Sequence, residues 1–194
     1  MVVIPGMSVT VVLWLILLCA FPHDVTAQDS AAIAAVDSTS AESAIISLSR
    51  EARNGPLKLA ALRGLPLDDP RTFAMTLPVP PTWTCRMRLD ERLVNVRCDI
   101  LVPTGMAQAE YERLEKLLFD HGDRRAWARD ALAAQEMMRR STGMERAVAY
   151  FYRRQRRVIA RMSLSIGTGA LNARVPRGSD RIIVLSVTSF PRAD

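Results

Sequence analysis

Histidine, cysteine and lysine are nearly missing from this 194-residue chain, which has two, three and two of them respectively. Those shortages remove whole classes of chemistry. Only His121 lies beyond residue 27, so a Ser/His/Asp or Cys/His nucleophilic centre would depend on it alone. Cys19, Cys85 and Cys98 form no C-x-x-C spacing, which argues against a redox pair or a zinc site. No internal repeat is visible, and Ile166-Gly167-Thr168-Gly169 lacks the rest of a dinucleotide or phosphate-loop pattern. Positive charge is also missing from one region, since no Lys or Arg precedes Arg50.

The N-terminus is apolar instead. Val9–Phe21 (VTVVLWLILLCAF) is broken by Pro22, and Val25-Thr26-Ala27 supplies small residues for an A-x-A-like cleavage site. That order predicts a secretory signal peptide over residues 1–27, although its n-region lacks basic residues. An uncleaved anchor is the alternative. Met1–Phe21 reaches the roughly 20 residues of a spanning helix only by including Pro5, Gly6, Ser8 and Thr10. Lipid attachment at Cys19 is weaker still, because Leu18 precedes it where a small residue is wanted. Either reading places the bulk of the chain outside the cytoplasm, in the periplasm or at the cell surface.

Export leaves Cys85 and Cys98 to pair in an oxidising compartment. The residues between them alternate about Glu91-Arg92, which predicts an antiparallel hairpin with Cys85 opposite Cys98, Met87 opposite Val96 and Leu89 opposite Val94. Trp83, Cys85, Met87, Leu89, Val94, Val96, Cys98 and Ile100 then share a greasy face. Thr84, Arg86, Arg88, Asn95, Arg97 and Asp99 share the other. The cysteines fall at a non-hydrogen-bonded pair, where side chains approach most closely. Glu-Arg is a poor tight turn, so a three- to five-residue loop is the alternative.

The remainder predicts one α+β domain over residues 39–194, after a flexible lead-in at 28–38. Hydrophobic residues make up 49% of the chain, enough for a core. Thr39-x-x-Glu42 reads as a capping box for a short helix that ends at Asn54-Gly55-Pro56. Residues 57–64 fit either a short helix or a turn, and Phe73, Met75, Leu77 and Val79 alternate as an edge strand. Gln108–Asp120 is helical by the spacing of Tyr111, Leu114, Leu117 and Leu118. A second helix is expected over Arg124–Arg140 behind an Asp123 cap, with Trp127, Leu132 and Met137 or Met138 inward, and a third over 143–161 behind Thr142-x-x-Glu145. Pro176-Arg177-Gly178-Ser179-Asp180 is a turn, and Arg181–Phe190 is the strongest strand signal. The sheet is expected to be small, combining the disulfide-linked hairpin with C-terminal strands against three or four helices.

Charge singles out the third helix. Beyond residue 27 the chain carries 26 basic and 19 acidic side chains, a formal charge of +7. Residues 139–161 hold eight arginines and one glutamate, so the whole excess sits there. On a helix, Arg146, Arg153, Arg154, Arg156, Arg157 and Arg161 fall on one side with Tyr150 among them. Met144, Val148, Phe151, Val158, Ile159 and Met162 fall opposite. A merely solvated face usually mixes signs, whereas this one offers forked donors matched to carboxylate and phosphate.

These readings converge on an exported, non-catalytic, envelope-associated binding or assembly protein. Its arginine face would meet an acidic protein or an anionic membrane or lipopolysaccharide surface. Nucleic acid is not an expected partner for an exported chain, and no metal or cofactor is expected. The alternative is a small cell-wall-directed hydrolase using a carboxylate, with Glu110, Glu112 and Glu115 close together on one helix. Asp120-His121-Gly122-Asp123 offers three metal-ligand types, but its position between two expected helices reads as ordinary capping.

Overall fold

Alternation of apolar and polar residues is the dominant pattern, and it builds an eight-stranded antiparallel sheet. The computed structural model describes the backbone of residues 26–102, 104–121, 127–168 and 181–191. The chain divides into two units, residues 1–36 and 37–194, and the sheet belongs to the second. The leader up to Val25, Gly122, Asp123 and the 176–180 turn lie outside the described residues. Among the described residues, no helix is long and apolar enough to cross a membrane.

The elements run α1 (Thr26–Asn54), α2 (Pro56–Ala60), β1 (Arg63–Pro66), β2 (Thr72–Met75), β3 (Trp83–Asp90) and β4 (Leu93–Val102). A 3-10 turn at Thr104–Met106 leads into α3 (Ala107–His121). Then come β5 (Trp127–Arg129), α4 (Ala131–Arg140), β6 (Met144–Arg154), β7 (Arg157–Thr168) and β8 (Arg181–Ser189). Strand order is β1-β2-β3-β4-β8-β7-β6-β5. Two four-strand meanders thus meet at the β4–β8 pair. The connection through α3 carries the chain from the sheet's middle to its far edge.

The α+β class and the disulfide hairpin are as expected. Cys85 faces Cys98, Met87 faces Val96 and Leu89 faces Val94, with Glu91-Arg92 as the two-residue loop. The Cys85–Cys98 bond joins α-carbons 4.0 Å apart, the close approach of a non-hydrogen-bonded pair. The sheet, however, is large rather than small. Residues 127–129, expected within the second helix, form β5, and 143–161, expected as the third helix, form β6, a turn and the start of β7.

One face of the sheet carries the core. Its rows pass from Val96 through Val187 and Met162 to Tyr150, and from Cys98 through Leu185 and Leu164 to Val148. The core cluster also takes in Ala41, Ala44, Ile45, Leu48 and Ala52 of α1, whose spacing makes one helical stripe. Tyr111, Leu114 and Leu118 of α3 are buried in the same cluster. Ser189 at the end of β8 donates its hydroxyl to the Ala52 carbonyl at 2.9 Å, tying α1 to the sheet. The α1 backbone is helical from Thr26 rather than from Thr39, because no Gly or Pro interrupts the Ala-rich stretch before Gly55. Gly55 ends it at a φ of +111°, which favours glycine. Outside β2 lies β1, so the Phe73 strand is not the edge.

Candidate functional site

The arginine-rich segment is a β-hairpin, not a helix. Gln155 and Arg156 make its turn with φ of +49° and +68°, the two positive values of a type I′ turn. Arg154 pairs with Arg157, and Arg153 pairs with Val158 across a bulge that leaves Ile159 extra. The helical reading failed because apolar residues at 148, 151, 158, 159 and 162 mimic a 3.6-residue stripe. The turn also lacks the Asn or Gly that announces a hairpin.

Strand geometry splits the expected site. Arg153, Arg154, Arg156 and Arg157 converge at the tip and are all exposed. None of the four makes an ion pair with an acid among the described residues, and Arg153 lies over the Phe151 ring at 4.3 Å. Arg146 sits at the far end of β6. It reaches Glu115 of α3 at 2.8 Å and Glu112 at 3.8 Å, and it lies over the Tyr111 ring at 5.0 Å. Arg161 pairs with Phe151 on the face away from the core and is engaged by Asp130 at 3.4 Å. Tyr150 is buried in the core rather than set among arginines, and burial raises its hydroxyl pKa above the phenol range.

The same end of the sheet carries more charge than the tip alone. Val94 pairs with Ser189, and Ser189 with Ala160, so the Glu91-Arg92 turn and the Gln155-Arg156 turn share one end. Only β8 separates β4 from β7, which sets the two hairpins about 10 Å apart at ordinary strand spacing. Arg53, at the end of α1, places its guanidinium over Tyr152 at 5.6 Å, just behind the β6–β7 tip. The arrangement is a basic rim that also carries two acids, Asp90 and Glu91, at the β3–β4 turn.

The three glutamates weighed for a hydrolase each have a side-chain partner. Glu110 receives two hydrogen bonds from Arg113, at 2.6 and 2.8 Å. Glu112 receives Gln108 at 2.7 Å, and Glu115 receives Arg146. His121 closes α3, in keeping with a helix end, and Gly122 and Asp123 lie outside the described residues. Among the described residues no group of three or more His, Cys, Asp or Glu is placed to hold a metal. The second helix starts at Ala131 because Asp130 caps it, accepting from the Ala133 amide at 3.0 Å. Trp127 is buried from a strand, and Leu132 is 79% exposed rather than inward.

Sequence reasoning located Arg86, Arg88 and Arg97 on the polar face of the β3–β4 hairpin without treating them as a site. They line a cleft of about 950 Å³ on the face of the sheet opposite the core. The signal was present in the alternation, which puts three arginines and one acid, Asp99, on adjoining positions. The chain matches no protein-family model, no curated protein and no solved structure.

Proposed function

We propose that this protein is an exported, non-catalytic, envelope-associated binding or assembly component that engages an anionic partner through the β6–β7 tip. The observation that carries the reading is the tip itself. Arg153, Arg154, Arg156 and Arg157 crowd one turn with no acid paired to any of them among the described residues. Like charges directly opposite on paired strands destabilise a hairpin, and positive φ at Gln155 and Arg156 adds backbone strain. A neighbouring anion would relieve the first of these. The Cys85–Cys98 disulfide fits an oxidising compartment, and the apolar leader supports export to the periplasm or cell surface. The partner is an acidic protein or an anionic headgroup surface, each arginine contributing about 1 kcal/mol within a Debye length.

Two probes test it, vesicles of anionic or neutral lipid and immobilised poly-aspartate. Salt-sensitive retention on an anionic probe, lost when Arg153, Arg154, Arg156 and Arg157 are all changed to Gln, is the expected result. Retention on neither probe, or retention indifferent to salt and to the four substitutions, overturns it.

A further inference from the structure

The face of the sheet opposite the core carries a second basic feature, independent of the tip. Cross-strand pairing sets Thr72, Arg88, Asn95 and Thr188 in one row, and Ala74, Arg86, Arg97 and Ser186 in the next. Two guanidiniums therefore stand directly opposite each other, an arrangement that is unfavourable unless an anion lies between them. Asp99 supplies one. Its Oδ2 accepts from Arg86 at 2.9 Å and its Oδ1 from Arg97 at 2.8 Å. With a side chain only 9% exposed, Asp99 belongs to the floor of the cleft.

One carboxylate offsets two guanidiniums there, so the floor keeps a positive charge. Arg86 is also incompletely satisfied, because its Nε is buried with no acceptor. A shift of that guanidinium towards an acceptor in the cleft would remove the deficit. Arg88, two residues along the same face, is 59% exposed and held only loosely. Its Nε is 3.4 Å from Asp90, which Arg71 also approaches at 3.9 Å. The walls are of another kind. Leu67 closes one side and Leu101 with Ile182 the other, both leucines being substantially exposed. Apolar walls over a few convergent charged groups are the anatomy of a small-molecule site.

The acids of the wall limit what fits. Asp69 is turned into its own loop, accepting from the Arg71 amide at 2.9 Å and the Thr72 hydroxyl at 3.0 Å. Asp68 stays exposed at the rim and would repel an extended polyanion. We propose that this cleft binds a small organic anion, carrying a carboxylate or phosphate group on Arg86 and Arg88 and its apolar portion between Leu67 and Leu101.

Amide NMR of the purified protein, titrated separately with inorganic phosphate and succinate against chloride at equal ionic strength, tests the proposal. Saturable shifts at Arg86, Arg88, Asn95 and Arg97 are expected with at least one probe. Arg88→Gln should weaken binding about tenfold, the loss of one charge-assisted hydrogen bond, while circular dichroism and melting stay unchanged. Asp99→Asn should tighten binding if it folds, by releasing both guanidiniums. Replacing the four tip arginines should leave these shifts intact, which separates this site from the tip. No saturable shift with either probe, equal shifts with chloride, or an Arg88→Gln protein that binds as well as the parent overturns the proposal.

Discussion

Arg154 and Arg157 face each other as the last residue pair before the β6–β7 turn, with no acid paired to either among the described residues. Their opposition is made tighter by a turn whose central residues, Gln155 and Arg156, both hold positive φ. Non-glycine residues pay for that conformation, and Asn-Gly would occupy it with less strain. The double substitution Gln155→Asn, Arg156→Gly should therefore stabilise the protein by about 1 kcal/mol in urea unfolding. It removes one of four guanidiniums, so retention on anionic vesicles should weaken in the same protein. A variant that is more stable and binds as before would show that the tip is not the contact.

The disulfide should carry a measurable share of stability. It closes a loop with a sequence separation of 13 across a hairpin whose register is also fixed by core packing. Chain-entropy arguments put the contribution at about 3 kcal/mol for a loop of this length. Thermal melts with and without a thiol reductant, or of Cys85→Ala with Cys98→Ala, measure it. A melt unmoved by reduction would mean that the two-residue turn and the packing of Met87 and Val96 suffice alone.

The contrast between the two hairpins shows which physical signals a sequence carries. In the cysteine hairpin, alternation from Trp83 to Ile100 favours the register that gathers the apolar residues other than Leu93 on one face, so even the pairing partners are legible. At 144–168 the same alternation was present in Met162-Ser163-Leu164-Ser165-Ile166, and the β-favouring Tyr150, Phe151 and Tyr152 reinforced it. It was masked because Arg153–Arg157 continued a helical spacing across what is a turn. The capping-box pattern at Thr142 and Glu145 then supplied a false start. The concentration of charge is legible in the sequence, yet its placement depends on the period. Strand geometry keeps four arginines together at the turn, sends Arg146 to α3 and pairs Arg161 with Phe151, where Asp130 engages it. The cleft was less legible still. Its wall comes from residues near Leu67 and Asp69, which no local pattern brings over β3 and β4.

Arg146 ties two elements of the fold together. It joins β6 to α3 through Glu115 at 2.8 Å and covers Tyr111. The pair is partly exposed, so solvent screening keeps its worth small. Arg146→Ala should cost about 1 kcal/mol, including the lost contact with the ring. A double-mutant cycle with Glu115→Gln should return a coupling of roughly 0.5 kcal/mol that shrinks with added salt. Vesicle retention should not change with Arg146→Ala. A loss of retention equal to that from a tip arginine would return Arg146 to the binding surface.

Tyr111 offers a test with the opposite sign. Its side chain is fully buried against the sheet, and its hydroxyl has no hydrogen-bond partner. An orphaned buried hydroxyl is a net cost, so Tyr111→Phe should be neutral or stabilising by up to about 1 kcal/mol at neutral pH. Burial, with the Glu115 carboxylate close by, also pushes the Tyr111 pKa well above the ordinary phenol range. The folded state therefore holds this proton at pH values where the unfolded chain releases it. Stability from that difference is complete below a pH of about 10, the unfolded value, and is lost progressively as pH rises towards the folded pKa. The parent protein should lose urea stability above that point faster than Tyr111→Phe does. Parallel alkaline slopes for the two proteins would show that the hydroxyl finds a partner in solution, and that α3 packs less tightly on the sheet there than its zero exposure implies.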